Sequence, residues 1–240
     1  MNSKTTENYL TIGVLGGMGP DATVECYKSI IEQTPAKKDQ DHLPLLIYNN
    51  PQIPDRTESI LHNGISPVPQ LQDSAHRLEE AGADLIIMPC NTAHYFIEKI
   101  REVIEIPVLN MVKATVDKLP PGSVAGLLAT TGTIKTGIYE KYAADRLKII
   151  TPSDENQKTV MDAIYGKRGI KAGFKDDRLT NKLIQVVDHL KEKGADSIIA
   201  GCTEIRLVLN DSNLVELDLL TPIDVIAREA VQRARSGEFQ

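Results

Sequence analysis

Leu78 to Cys90 reads LEEAGADLIIMPC, and Leu190 to Cys202 reads LKEKGADSIIAGC. At a constant offset of 112 residues the two segments share Leu, one Glu, Gly-Ala-Asp, Ile-Ile and Cys. The same offset sets residues 12–15 on 124–127, followed by Gly-Gly-Met-Gly in one case and by Ala-Thr-Thr-Gly in the other. Self-similarity at a fixed spacing is the mark of a repeated architecture. It predicts two similar halves, 1–115 and 116–240, with a C-terminal helix that can cross back onto the first. Two halves leave a junction between them, a common seat for a small ligand.

Within each half, short apolar runs bounded by turn residues predict buried strands at 12–15, 45–48, 85–88, 108–110, 124–128, 147–150, 197–200 and 217–220. Segments of helical period lie between them, at 22–33, 69–81, 93–103, 134–144, 177–193 and 221–234. Alternation of strand and helix predicts an α/β fold: two pseudo-symmetric halves, each a mostly parallel sheet flanked by helices, with the active site in the cleft between them. Residues 50–64 and 166–174 are the least periodic and the richest in Pro, Gly and charge, and are expected as long loops at the sheet edge, where function often resides.

Composition removes several function classes. There are 27 basic and 33 acidic residues, a net charge of −6, and no stretch concentrates Lys and Arg into a phosphate-tracking stripe. Aromatic residues make up 4% and Trp is absent, so the stacking platforms of single-strand binders are missing as well. No nucleic acid partner is expected. No apolar run approaches a membrane span, and the start MNSKTTENYL has no apolar core or cleavage motif, so no membrane association and a cytoplasmic address are expected. Three cysteines are too few and too odd in number for a disulfide framework.

Cys90 and Cys202 end equivalent predicted strands, and each is followed by polar residues, Asn91-Thr92 or Thr203-Glu204, suited to capping a next helix. Ligands of open α/β sheets bind beyond the carboxyl ends of strands, where a helix N-terminus offers free N–H groups to a carboxylate. The same field favours a thiolate over a thiol of ordinary pKa near 8.5. Free cysteines are also among the most buried residues, so packing alone accounts for either one taken singly. Two at symmetric strand ends favour chemistry. Proton exchange at a stereocentre needs a base on one face and an acid on the other.

Gly16-Gly-Met-Gly-Pro20, Pro89-Cys-Asn-Thr-Ala-His94, Ala129-Thr-Thr-Gly-Thr133 and Gly201-Cys-Thr-Glu204 resemble the aspartate/glutamate racemase family, most closely its aspartate racemase branch. The resemblance runs over nearly the whole chain. It implies a cofactor-independent isomerase, a homodimer, in which Cys90 and Cys202 flank the α-carbon of an acidic amino acid. By sequence, Asn91, Thr92 and Thr203 at the two helix starts are placed to donate to the α-carboxylate, and the glycines let the Met18-Gly19 backbone approach a small substrate closely; the resemblance adds Thr131 and Thr133 to the same lining. Arg56, in Ile53-Pro-Asp-Arg56, and Lys171, in Ile170-Lys-Ala-Gly173, resemble the family's distal-carboxylate ligands, although loop Arg and Lys are commonly only solvated. Glutamate racemases of the cell-wall pathway typically carry His where this chain has Glu204, and their serine- and glycine-rich opening is absent. Hydantoin racemases, maleate isomerases and arylmalonate decarboxylases reuse similar folds and cysteines, so the fold does not by itself fix the reaction.

Two other readings compete. Gly17-x-Gly19-x-x-Ala22 after the first strand matches a dinucleotide fingerprint, which suggests an NAD(P)-binding Rossmann-type oxidoreductase. The second strand ends in Tyr48-Asn-Asn-Pro51, without the acidic residue that binds ribose. A non-catalytic binder of acidic amino acids needs Arg56 and Lys171 but not two thiols. Cys26 falls mid-helix and is expected in the core. The five histidines lack metal-ligand spacing, so no metal is expected; His94 is a candidate for the cleft or for packing.

Overall fold

The computed structural model describes residues 9–210, 214 and 217–237; of the segments used above, the polar start at 1–8 lies outside them. The first sheet has the order β2-β1-β3, from β1 (Ile12–Gly16), β2 (Leu45–Asn49) and β3 (Leu85–Ile87). The second has the order β5-β4-β6-β7, from β4 (Val124–Leu128), β5 (Lys148–Ile150), β6 (Ser197–Ala200) and β7 (Asp218–Leu220). Every pairing between these strands is parallel. Strands β1, β3 and β6 are buried along their whole length, in keeping with their mostly apolar runs.

The repeated Gly-Ala-Asp is a helix stop joined to a strand brace. Gly82 and Gly194 end α3 (Val68–Glu80) and α9 (Asp177–Glu192) with φ of +94° and +90°, a region open to glycine. The next alanine N–H returns to the helix, Ala83 to the Leu78 carbonyl and Ala195 to the Leu190 carbonyl, both at 3.0 Å. Each aspartate then grips the neighbouring central strand. Asp84 Oδ2 accepts from the Thr11 N–H at 2.6 Å, and Asp196 Oδ2 accepts from the Val124 N–H at 2.8 Å. These grips equate Thr11 with Val124, one residue off the sequence offset, so the halves repeat with a one-residue shift between β1 and β4.

Several elements differ from the sequence reading. The strand expected at 108–110 is an isolated bridge between Ile86 and Val108, because Pro107 has no N–H to extend a ladder and Asn110 turns to cap α5 (Met111–Asp117). The helix expected over 134–144 is two, α6 (Thr131–Lys135) and α7 (Ile138–Ala143), parted by Gly137 at φ +61°. Residues 50–64 contain α2 (Arg56–Leu61), whose first turn is capped by Asp55 accepting from the Glu58 N–H at 2.9 Å. A further helix, α8 (Asp154–Tyr165), starts on Ser153.

Helix α10 (Pro222–Ser236) packs against α1 (Pro20–Gln33) and α5, placing Ile226, Ala230 and Val231 in one cluster with Ile12, Val14 and Cys26 of the first half. Ser29 donates to Asp224 Oδ1 at 2.6 Å across the same contact. The C-terminal helix thereby ties the two halves together.

Replacing Asp84 by Ala leaves the Thr11 N–H without its carboxylate partner. The expected loss is about 1–3 kcal/mol in unfolding free energy, read by urea denaturation against wild type.

Candidate active site

Parallel strands bring all their carboxyl ends to one side, and the loops that leave them converge there. The β1–α1 turn contributes Met18, the start of α2 contributes Arg56, and the end of β3 leads to Cys90, Asn91 and Thr92. From the second half come Thr130 after β4, Tyr165 at the end of α8, Lys171 on a short turn, and Cys202, Thr203 and Glu204 after β6. These residues line one inner pocket of about 10 Å³, room for about a single water. Met18, Arg56, Lys171 and Glu204 also line an open outer cleft of about 600 Å³. They form the neck between the two spaces.

Cys90 and Cys202 each keep 6% of their surface exposed, and each enters the pocket from its own half. Their polar surroundings differ. Cys202 Sγ donates to Glu204 Oε2 at 3.0 Å, and Thr203 Oγ1 donates to the same oxygen at 3.2 Å. The other Glu204 oxygen pairs with Lys171 Nζ. Burial and then the Glu204 charge push the Cys202 thiol well above the ordinary thiol range, against an opposing pull from Lys171. Burial alone raises Glu204, but Lys171 outweighs it and holds the carboxyl below its ordinary range. Lys171 is raised in turn: burial lowers it, and the Glu204 charge and hydrogen bond together with the two sulfurs more than offset that.

Arg56 is 7% exposed, with its guanidinium tied to backbone carbonyls of Pro54 at 2.9 Å, Ile53 at 3.1 Å and Met18 at 3.4 Å. Burial opposes its charge, and Cys90, followed by Asp55 and Tyr165, raises it above the ordinary arginine value. Its Nε is buried without a hydrogen-bond partner. Tyr165, which the sequence reading did not single out, shares a 3.1 Å hydrogen bond with Asp55 Oδ2 and lies under Lys171 Nζ at 5.5 Å from the ring centre.

Asn91 does not cap a helix. Its Oδ1 accepts from the Tyr139 hydroxyl at 2.6 Å, and its buried Nδ2 has no partner, a donor left over in the pocket lining. Thr92 Oγ1 lies 2.7 Å from Thr133 Oγ1 and 3.1 Å from Thr130 Oγ1, so three buried hydroxyls bridge the halves. Thr131, expected in the lining, faces α8: its hydroxyl accepts from Gln157 Nε2 at 3.2 Å, and Thr130 takes the pocket position.

The helix expected at 93–103 is also altered. A 3-10 turn (Thr92–Phe96) precedes a short α4 (Ile97–Arg101). The cause is His94, whose Nδ1–H donates to the Cys90 carbonyl at 2.8 Å while its Nε2 accepts from the Met111 N–H at 3.1 Å. With that carbonyl engaged, the His94 N–H turns to the Asn91 carbonyl at 3.0 Å, an i to i−3 bond. After Cys202 there is only the three-residue turn Ile205–Leu207. The helix dipoles expected to favour thiolates are therefore short, and the charges beside the sulfurs come from Arg56, Lys171 and Glu204.

Gly17 has φ +98°, and a Cβ there would fall 2.3 Å from the Asn50 backbone, so this glycine fits the turn against β2. Gly19 faces the neck: a Cβ on it would lie 3.4 Å from Glu204 Oε1. Both glycines of the fingerprint line the outer cleft. Among the described residues, no group of three or more His, Cys, Asp or Glu is placed to hold a metal, and no helix is long and apolar enough to cross a membrane.

Two parallel α/β sheets with a cysteine from each at one pocket define a class, and the comparisons name it. The chain belongs to the Asp/Glu/hydantoin racemase family, which it matches over residues 15–230, and it is an isomerase of the amino-acid racemase kind. It is 30% identical over 207 residues to the broad specificity amino-acid racemase RacX of Bacillus subtilis (strain 168), covering 83% of this chain and 87% of that one. The aspartate racemase of Picrophilus torridus superposes with a TM-score of 0.83 at 29% identity, over 94% of each chain. A putative Asp/Glu racemase from Yersinia pestis shares the fold, with a TM-score of 0.77 at 23% identity over 94% of this chain and 99% of that one.

Burial lowers His94 to a pKa of about 4, below the ordinary value of 6.5. Since the unfolded chain takes up this proton first, stability is full above pH 6.5 and is lost as the pH falls toward 4. Urea titrations across that interval should show about 3 kcal/mol more loss in wild type than in His94→Gln, which has no such proton to gain.

Proposed function

We propose that this racemase interconverts L- and D-aspartate, and also accepts glutamate, by two-base proton transfer with Cys90 and Cys202 and without a cofactor. The observation that carries the reading is that two free thiols, equivalent in the repeat and equal in exposure, line one pocket from opposite halves. One thiolate takes the α-hydrogen, and the opposing thiol returns a proton to the other face. The charge that develops on the α-carboxylate needs donors already aimed at it; the spare Asn91 Nδ2 and the Thr92 hydroxyl have the right chemistry and position.

The acidic substrate class is supported by Arg56 and Lys171, which come together at the neck. Arg56 is fixed by three carbonyls and has buried charge to offset. Lys171 already pairs with Glu204, so a substrate carboxylate there either shares the ammonium or takes Glu204's place. The inner pocket has to widen to admit an amino acid, and the neck side chains are the ones that must part. The name of the RacX relative points to a wider substrate range in that protein. Here the pair of cations at the neck, Arg56 buried and Lys171 at its open side, favours a side-chain carboxylate over a neutral side chain.

Chiral separation after incubation with each enantiomer of Asp, Glu and Ala tests the reading. Aspartate should racemise fastest and Ala least. Cys90→Ala and Cys202→Ala should each lose at least about 1,000-fold in kcat, while Cys26→Ala, in the core, retains activity. Lys171→Met should raise KM for Asp without a matching change for Ala. Full activity in either pocket-cysteine variant, or Ala turned over as well as Asp, would refute the mechanism or the substrate class respectively.

A further inference from the structure

The repeat makes the two thiols equivalent in placement, and their exposures are equal, yet the carboxylate of the pocket lining, Glu204, is hydrogen-bonded to Cys202. On the Cys202 side, Glu204 accepts the thiol hydrogen at 3.0 Å. A carboxylate held by Lys171 is an acceptor only, so this bond requires the proton to sit on sulfur. On the Cys90 side the facing charges are the guanidinium of Arg56 and, further off, the ammonium of Lys171.

We infer that Glu204 is a positioning residue that fixes the starting roles of the pair: in the resting enzyme Cys202 is the acid and Cys90 is the base. The inference rests on the two-base reading above and assigns the roles which the repeat by itself leaves interchangeable. The groups facing Cys202 are Glu204, Lys171, Tyr139 and Tyr165. Both tyrosine hydroxyls are raised, by burial first, and stay neutral, so Glu204 and Lys171 are the charges that matter there. Lys171 divides its influence between both sulfurs and Glu204, whereas Glu204 acts on Cys202 through a direct hydrogen bond.

The proton balance follows. Cys90 thiolate accepts the α-hydrogen as Cys202 thiol donates to the opposite face of the carbanion-like centre. The enzyme is left with a Cys90 thiol and a Cys202 thiolate against the Glu204 carboxylate. That arrangement sets two negative charges side by side, so it relaxes: Cys202 takes one proton from water and Cys90 releases one. The enantiomer whose α-hydrogen faces Cys90 meets a ready enzyme, and its mirror image needs the relaxed protons exchanged first. Because the two enantiomers have equal free energy, kcat/KM is the same in both directions and hides this bias. It has to be read on the free enzyme.

Limited alkylation of the intact protein with iodoacetamide near neutral pH, followed by mass analysis of the two cysteine peptides, reads it directly. Both cysteines are 6% exposed and line one pocket, and comparing wild type with Glu204→Gln at each sulfur reports the change in thiolate content. Cys90 should label at least about tenfold faster than Cys202, and Glu204→Gln, which keeps the shape and removes the charge, should narrow the ratio to about threefold or less. Glu204→Asp, which restores a carboxylate, should widen it again. Equal or faster labelling of Cys202 in wild type, or a ratio unmoved by Glu204→Gln, would overturn the inference. None of these readouts uses turnover, so they stand apart from the Cys→Ala activities that decide the two-base reading.

Discussion

Parallel pairing of β1 with β3 and of β4 with β6 is the constraint from which the site descends. A parallel neighbour can be reached only by a crossover, so each half must carry helices between its strands and release every strand end on the same side. Strands β1, β3 and β4 carry no polar side chain, and β6 has only Ser197 at its start, so the polar positions of these strands lie beyond their carboxyl ends. Cys90 and Cys202 occupy those positions. The aspartates of the repeat secure the register at the opposite end, where Asp84 and Asp196 bind the first N–H groups of the central strands. A slip of either strand would therefore cost a charge-assisted bond at one end and move a thiol out of the pocket at the other.

Buried polar groups then set the details of the cleft. His94 spends both ring nitrogens on backbone groups, one on the Cys90 carbonyl and one on the Met111 N–H, and stays neutral. It joins the thiol-bearing turn to α5, which in turn packs on α10. Tyr139 does a similar service for Asn91. Its hydroxyl occupies the amide oxygen and leaves the amide nitrogen as the free donor, and the reverse orientation would leave the buried phenolic hydrogen without an acceptor. The Thr92, Thr130 and Thr133 hydroxyls satisfy one another across the junction, so the two halves meet through polar groups that fix distance and angle.

The offset that aligns the two cysteines was legible because each half needs the same helix stop, strand and strand end, and residue types at such positions are narrowly limited. Arg56 and Lys171 were legible only through family resemblance, since nothing local distinguishes a loop Arg or Lys from a ligand, whereas Thr92 and Thr203 could be read from their place just after the strand-end cysteines. Thr131 was misplaced for a local reason: Thr130 and Thr131 are adjacent and chemically alike, and the choice between them is made by the cap that Thr130 forms with the Thr133 N–H. Helix α8 carried a readable start, Ser153 with Asp154 and Glu155 in its first turn, yet its apolar positions are sparse and the period was missed. Tyr165 could not be found from sequence because its place depends on where that helix ends. Glu204 was visible as a departure from the glutamate racemases, and its partners Lys171 and Cys202 became evident only in space.

Pseudo-symmetry is suited to a reaction whose substrate and product are mirror images, but a fully symmetric pair of thiols would be a poor catalyst. Two thiols of the same affinity for protons in the same surroundings populate the doubly protonated and doubly ionised forms as well, and neither form can move a proton across the α-carbon. The hydrogen bond from Cys202 to the Glu204 carboxylate sets one sulfur apart from the other, and on the proposed two-base reading it favours the singly protonated pair. Lys171 then lets Glu204 remain charged in a buried place, at the neck of the pocket. On the proposed reading the lysine that attracts the substrate also sustains the charge that keeps the acid thiol protonated, so substrate recognition and the readiness of the thiol pair share one ion pair.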